Sequence, residues 1–290
     1  MNRATQVHSA PGGKAAHVAM VLRILGADPL WIGTAGGRTG EELIDGLNAL
    51  GIRAQPLNVA TETRVNLEII DEQGCVTELL EPGSALQGKE SEDFLFACEK
   101  LFFAEKSGSI VIASGSLPLG TEHTFYAELT ELAHRAGHRM FLDTSGEPLR
   151  AALGNRPDFI KPNRSETESL TGSRIVDRSS AQKSVEELIR LGAQSAVISL
   201  GHDGLLWHQG TGKGVYHAQP EEVKARSTIG CGDATVAGFA YSAAMNLEVD
   251  ATLRLAAACG AANCLADSPG RLNKTAIHRF ESGTRVERIA

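Results

Sequence analysis

Short runs of apolar, β-branched residues alternate with helical patterns along most of this chain, and that alternation restricts the fold more than any other feature. Candidate strands lie at 30–33, 109–113, 139–143, 158–161 and 195–199. Between them the apolar spacing predicts helices over 15–25, 40–50, 124–136, 165–170 and 181–191. Gly26, Gly51, Gly137 and Gly192 follow four of these, where a helix end most readily takes a left-handed residue. Repeated strand–helix–strand order predicts an α/β fold, a doubly wound, mostly parallel sheet with helices on both faces. In such sheets ligands bind beyond the carboxyl ends of the strands. Ser114-Gly115-Ser116, Asp143, Lys161-Pro162-Asn163 and Gly201 fall just past those ends.

One region breaks the alternation. Residues 64–70 and 75–80 read as strands around Asp71-Glu72-Gln73-Gly74, a hairpin signal. We expect a small β-lid made of 1–9 and 52–80 over an α/β body made of 10–51 and 81–290; the alternative is an edge of the main sheet. The polar tail after Gly270 is expected to end in a helix.

Composition narrows the function classes. The 290 residues, 42% hydrophobic and 22% charged, suffice for a large core. Net charge is −7 and the cations are scattered, which argues against a nucleic-acid surface. Five cysteines without a CxxC pair point to reduced thiols in a cytoplasm. No apolar run approaches the roughly 18 residues of a membrane span, and Met1-Asn2-Arg3-Ala4-Thr5 does not read as a signal peptide.

Chemistry concentrates at Ser227-Thr228-Ile229-Gly230-Cys231-Gly232-Asp233, which runs straight into a helix of small and apolar residues. Glycines let backbone approach a ligand, and a helix start offers free N–H groups to an anion. Asp233 puts a carboxylate beside that hole. The combination suits phosphoryl transfer, in which the hole holds the migrating group and the aspartate takes the acceptor's proton. The plainer reading is a glycine loop capping a core helix. Pro11-Gly12-Gly13-Lys14 opens the first helix and also suits an anion, although it lacks the GxxxxGK[ST] of a P-loop. Thr63-Arg64-Val65-Asn66 places a phosphate-binding guanidinium, or merely an exposed arginine, in the lid. In Lys161-Pro162-Asn163-Arg164-Ser165-Glu166, Asn163 and Glu166 make a capping box, which by itself accounts for both residues. Ser199-Leu200-Gly201-His202-Asp203-Gly204 is a glycine turn suited to a ribose or phosphate. A His202–Asp203 dyad is set aside, because neighbours in a turn tend to point apart and no GxSxG nucleophile accompanies them.

In this order, from about 12 to 270, these motifs resemble the PfkB branch of the ribokinase-like carbohydrate kinases. The resemblance implies Asp233 as catalytic base and the backbone of Gly230, Cys231 and Gly232 as anion hole. It implies substrate contacts at Gly12, Gly13, Lys14, His17, Arg64, Asn66 and Ser116. It implies ATP contacts at Lys161, Asn163, Glu166, Ser199, Gly201, Thr228 and Asn263, with Asn163 and Glu166 acting on Mg2+ through water rather than as direct ligands. Thr63-x-Arg64-x-Asn66, Ser114-Gly115-Ser116-Leu117-Pro118 and Lys161-Pro162-Asn163 resemble the hexose-phosphate kinases, whose substrates are of the fructose 1-phosphate or tagatose 6-phosphate type. There Lys14 and Arg64 would hold the phosphate already on the sugar, and two lids would often join in a homodimer. Ala15, Ala16 and His17 stand where the family has glycine and then asparagine, and Cys231 replaces an alanine. The family's first strand, ending near a sugar-binding aspartate, has no counterpart before the diglycine, which comes at position 12, and Met1–Val7 reads like the middle of a lid strand. Low activity is therefore an expectation. A kinase of a non-phosphorylated sugar or nucleoside, or an inactive binding protein, are the alternatives.

Overall fold

The computed structural model describes residues 3–71, 76–83 and 85–290. α1 (Lys14–Leu25) leads to β1 (Leu30–Ala35), α2 (Gly37–Ala49) and β2 (Arg53–Asn58), and β1 and β2 pair in parallel. β3 (Asn66–Ile70) and β4 (Val76–Leu80) form an antiparallel hairpin with Glu68 opposite Glu78. Next come α3 (Glu90–Ala104), β5 (Ile110–Ser114), α4 (Phe125–Arg135), β6 (Arg139–Asp143), α5 (Gly146–Leu153), β7 (Phe159–Ile160), α6 (Arg164–Thr171), α7 (Arg178–Arg190) and β8 (Ala196–Ser199). β9 (Leu205–His208), β10 (Val215–Gln219), α8 (Cys231–Ala244), α9 (Val249–Asn263), α10 (Lys274–Gly283) and β11 (Arg285–Arg288) complete the chain.

The main sheet runs β11-β10-β9-β8-β7-β6-β5. β5 to β8 are parallel, as the alternation predicts, and they carry the strand ends of interest. β9 to β11 continue the sheet antiparallel. The reversal after β8 needs a tight turn at Gly204, whose φ is +82; a Cβ there would lie 2.0 Å from the Ala218 carbonyl oxygen. Side chains of α1, α8, α9 and α10 fill one face of the sheet, and those of α3 to α7 fill the other. α8 and α9 approach so closely that a Cβ on Gly238 would sit 2.6 Å from the Ala256 Cα. The run of small residues in both helices makes that approach possible.

Three expectations are corrected. Residues 53–58, grouped with the lid by sequence, form β2 paired to β1 and do not join the β3–β4 hairpin. Residues 3–9 contribute no strand to it. The tail does contain α10, but it ends in β11, which pairs with β10 through Val286↔Ala218. Of the hairpin turn, residues 72–75 lie outside the described residues.

The hairpin is unusual in its surface: Leu67, Ile69, Ile70, Leu79 and Leu80 are all more than half exposed. A second feature concerns the sheet. β1 and β2 pair only with each other among the described residues, and β5 is one edge of the main sheet, opposite β11. α1 packs against both β1 and β5 and so spans the break between them.

Candidate active site

A single open cleft of about 3970 Å³ collects the carboxyl ends of β5 to β8, the start of α1, the hairpin and the 226–233 loop. Its floor is the start of α8. Gly230 is the residue before the helix, at φ +76, and no side chain caps it. The first-turn amides of a helix have no partner within it, so this end offers donors to an anion. Glycine is required before Cys231, and the glycine after it gives room to a lysine. A Cβ on Gly230 would lie 2.9 Å from Pro269 Cβ, and one on Gly232 would lie 3.0 Å from Lys161 Nζ. The Lys161 ammonium therefore presses on the helix start.

Asp233 lies buried in the first turn of α8. Its Oδ2 is 2.9 Å from His17 Nδ1, one turn into α1. Two helices distant in sequence thus converge on one carboxylate, and the tautomer with Nδ1 protonated donates to it.

Asp143 organises the cations. It ends β6 with its side chain 2% exposed; Oδ1 is 3.2 Å from Lys161 Nζ and Oδ2 is 3.5 Å from Lys14 Nζ. Ser114, ending β5, donates to Oδ2 at 3.2 Å. Burial alone would raise the Asp143 pKa, but Lys161, Lys14 and Ser114 together hold it below the usual carboxylate value. For Lys14, burial works against the charge, and Asp143, Asp233 and Glu166 outweigh it, so its pKa is raised. Lys14 stays charged in the cleft. Asp143 stands out in sequence only as a polar strand end. A strand that closes apolar and then carboxylate, beside two lysines at other element ends, was the available signal for its role.

Asn163 and Glu166 make the predicted capping box: Asn163 Oδ1 accepts from the Glu166 amide at 2.9 Å, and Glu166 Oε2 accepts from the Asn163 amide at 2.8 Å. Both line the cleft, as do Gly12, Gly13, Ser116, Ser199, Gly201 and Thr228. Asn163 bridges to Ser199 across the parallel strands. Gly13, at φ +93, precedes α1 and accepts the His17 amide. Arg64 and Asn66 lie at the base of the hairpin on the cleft rim, and Arg64 Nη1 reaches the Glu81 carbonyl at 3.5 Å.

Asn263 is placed differently from the expectation. It is buried and does not line the cleft; Nδ2 donates to the Ile229 carbonyl at 2.6 Å and Oδ1 accepts from the Gly270 amide at 2.9 Å. Its amide braces the glycine loop from behind. His202 and Asp203 do touch, at 3.2 Å, contrary to the argument that turn neighbours point apart. His202 is nevertheless almost fully exposed, and the other Asp203 oxygen pairs with Arg164 at 2.7 Å, so the contact is a surface one.

The profile described as pfkB family carbohydrate kinase matches residues 1–276. The chain belongs to the pfkB family of carbohydrate kinases. It is 30% identical over 276 residues to a tagatose-6-phosphate kinase of Staphylococcus epidermidis, covering 94% of this chain and 87% of that one. It is 31% identical over 258 residues to ATP-dependent 6-phosphofructokinase isozyme 2 of Escherichia coli K12, covering 88% and 82%. Escherichia coli phosphofructokinase-2, solved in complex with fructose-6-phosphate, superposes with a TM-score of 0.85 at 29% identity over 94% of this chain and 87% of that one. This carbohydrate kinase is therefore a phosphotransferase of ribokinase-like fold. Among its described residues no helix is long and apolar enough to cross a membrane.

Proposed function

We propose that this carbohydrate kinase moves the γ-phosphoryl group of ATP to a hydroxyl of a hexose that already carries a phosphate. One observation carries the reading: Asp233 is a buried carboxylate at an uncapped helix start, with Lys161 against the adjoining glycine. Asp233 takes the proton of the sugar hydroxyl as that oxygen attacks, and His17 orients the carboxylate through its 2.9 Å contact. The Gly230–Gly232 amides receive the charge of the transferring group. Lys161, with Ser199, Gly201 and Thr228, lines the nucleotide side. Lys14 and Arg64 approach from α1 and the hairpin and grip the substrate phosphate; the relatives named for phosphorylated hexoses support this assignment.

Among the described residues no three acidic, histidine or cysteine side chains gather as a metal site. Asp143 is committed to lysines and Glu166 Oε2 to its cap. That donor set fits a magnesium ion that Asn163 and Glu166 would hold through water. Such an ion neutralises phosphate charge. The apolar hairpin is the surface through which we expect two copies to pair, with the lid closing over the sugar.

The test is Asp233→Asn, which keeps the shape and removes the base. Turnover on fructose or tagatose phosphates falls by about 10²–10⁴-fold while nucleotide still binds. Turnover near the unmodified level sinks the assignment. Faster phosphorylation of free fructose, ribose or adenosine sinks the phosphosugar reading.

A further inference from the structure

Two thiols meet at the glycine loop, and neither sulfur has a part in the transfer proposed above. Cys231 is the first residue of α8 and Cys264 follows the last residue of α9; their Sγ atoms are 3.1 Å apart. Both are half-buried and both line the cleft, so a small solute meets them there. Cys98 and Cys259 are buried, and burial pushes each thiol up to about 12. They are inert by comparison.

The neighbourhood ties this pair to the loop. The Cys264 carbonyl accepts the Arg226 amide at 2.8 Å, and the adjacent Asn263 holds the Ile229 carbonyl. The end of α9 is thus the post from which 226–232 hangs, and Cys231 lies at the far end of that segment. Closing an S–S bond of about 2.05 Å from 3.1 Å requires roughly 1 Å of movement. Gly230 has little room to absorb it, since even a Cβ added there would lie 2.9 Å from Pro269 Cβ.

We propose that Cys231 and Cys264 form a hydroperoxide-reactive dithiol whose closure into a disulfide displaces the Gly230–Gly232 amides and stops transfer. The effect on transfer rests on the reading of those amides as the phosphoryl hole; the dithiol itself does not. The hydrogen bond from Cys231 holds the Cys264 thiol below the ordinary cysteine value. The same contact, followed by burial, pushes Cys231 up. With the Cys231 S–H donating across the 3.1 Å contact, Cys264 takes the attacking role and Cys231 the resolving one. The Cys264 thiolate attacks one oxygen of ROOH; an S–O bond forms, the O–O bond breaks, and RO⁻ leaves to take up the proton that Cys264 lost. Cys264 is now a sulfenic acid. The Cys231 sulfur attacks the Cys264 sulfur, an S–S bond forms, and the hydroxyl departs with the Cys231 proton as water. Two thiols and ROOH become a disulfide, ROH and water; the sulfurs lose two electrons and the peroxide gains them.

Hydrogen peroxide is the probe, applied to the full chain and followed by alkylation and peptide mapping without reductant. A peptide cross-linked between 231 and 264 is expected. Turnover falls roughly tenfold or more on the same time course and dithiothreitol restores it. Cys264→Ala, and Cys264→Ser as a second variant, lose turnover less quickly under peroxide, each compared with its own untreated rate. Nucleotide analogue binding is measured alongside. A cross-link that weakens nucleotide binding in a chain inactive on every sugar supports the dithiol and counts only against the sugar-kinase reading. Absence of the cross-link overturns the proposal. So does a cross-linked chain with unchanged turnover and nucleotide affinity, or a Cys264→Ala variant inactivated as fast as the parent.

Discussion

Asp143→Asn isolates the charge that holds the cleft together. The parent carboxylate is almost fully buried, as is Lys161, whose side chain is 5% exposed. At 3.2 Å and an effective dielectric of about 20, their attraction is roughly 5 kcal/mol. Lys14 adds less, because its side chain is 44% exposed and water screens it. The gross attraction is not the expected loss, since both ions were desolvated to form the pair. Removing one partner leaves Lys161 buried and uncompensated, and such losses are about 3–5 kcal/mol. The asparagine also turns an N–H donor toward an ammonium. For a chain of 290 residues each kcal/mol is worth about 2 °C, so the melting temperature falls by roughly 6–10 °C.

Denaturant unfolding at neutral pH, with an unchanged slope, measures the loss directly. Lys161→Met on the Asp143→Asn background should recover part of it, giving a coupling of at least about 2 kcal/mol in the double-mutant cycle. The pH dependence has a definite sign. The folded Asp143 pKa lies below its usual value of 3.8. Its stabilisation is therefore complete above the unfolded value and lost as pH falls through the folded one. Parent and variant converge in acid. A loss below about 1 kcal/mol, or a difference that does not shrink in acid, refutes the account of Asp143 as the shared counter-ion.

Other perturbations separate the parts of the site. Arg64→Ala weakens sugar-phosphate binding by roughly 1.5–3 kcal/mol, read as a raised KM for the phosphosugar with nucleotide KM unmoved. Gly230→Ala forces a left-handed alanine costing about 1–2 kcal/mol and drives its Cβ onto Pro269; turnover should fall far more than secondary structure by circular dichroism. His17→Phe removes the donor to Asp233, and kcat falls about tenfold at constant nucleotide affinity if the contact is worth the usual hydrogen bond to a charged group.

Much of the site could be read from residues because its parts are local. A glycine pair before a helix, a capping box or a polar residue ending an apolar strand is visible in a window of a few positions. Gly230, Asp233, Asn163 and Glu166 belong to this kind. The unread parts depend on pairing across the chain. Asp143 became intelligible only when Lys14 and Lys161, 129 residues away in sequence for the former, arrived at its two oxygens. Asn263 looks like a ligand-binding amide until its two bonds to backbone are seen. β2 contains Pro56, has no strong alternation, and gains its identity from β1. β11 is a polar four-residue segment that only the edge of β10 makes a strand.

The break between β1 and β5 leads to one further prediction. Val59 donates to the Ala35 carbonyl on the β2 side, so by alternation Leu30, Ile32 and Thr34 turn their backbone groups away from β2. Gly115 donates to Asp143 and Ser109 accepts from Arg139, so Ile110, Ile112 and Ser114 turn away from β6. Both open edges border the same cleft and pair with no strand among the described residues. These segments are half-exposed apart from Trp31, Ala35 and Ala113, so water satisfies the edges and the cost of a dry, orphaned amide is avoided. Amide hydrogen exchange should therefore alternate along each strand: 110, 112 and 114 exchange at least about 10²-fold faster than 111 and 113, and 30, 32 and 34 faster than 31 and 33. Uniform protection would show that a partner segment occupies the break, and would refute the reading of two open edges. The consequence reaches the chemistry through α1, which carries Lys14 and His17 and rests on both β1 and β5. A helix lying across an unpaired seam has no single rigid sheet to fix it and is held chiefly by its packing on α8. Binding of a phosphosugar between Lys14 and Arg64 should therefore raise protection throughout α1 while leaving α8, packed tightly on α9, unchanged. Equal changes in both helices would mean that the seam has no part in positioning the site.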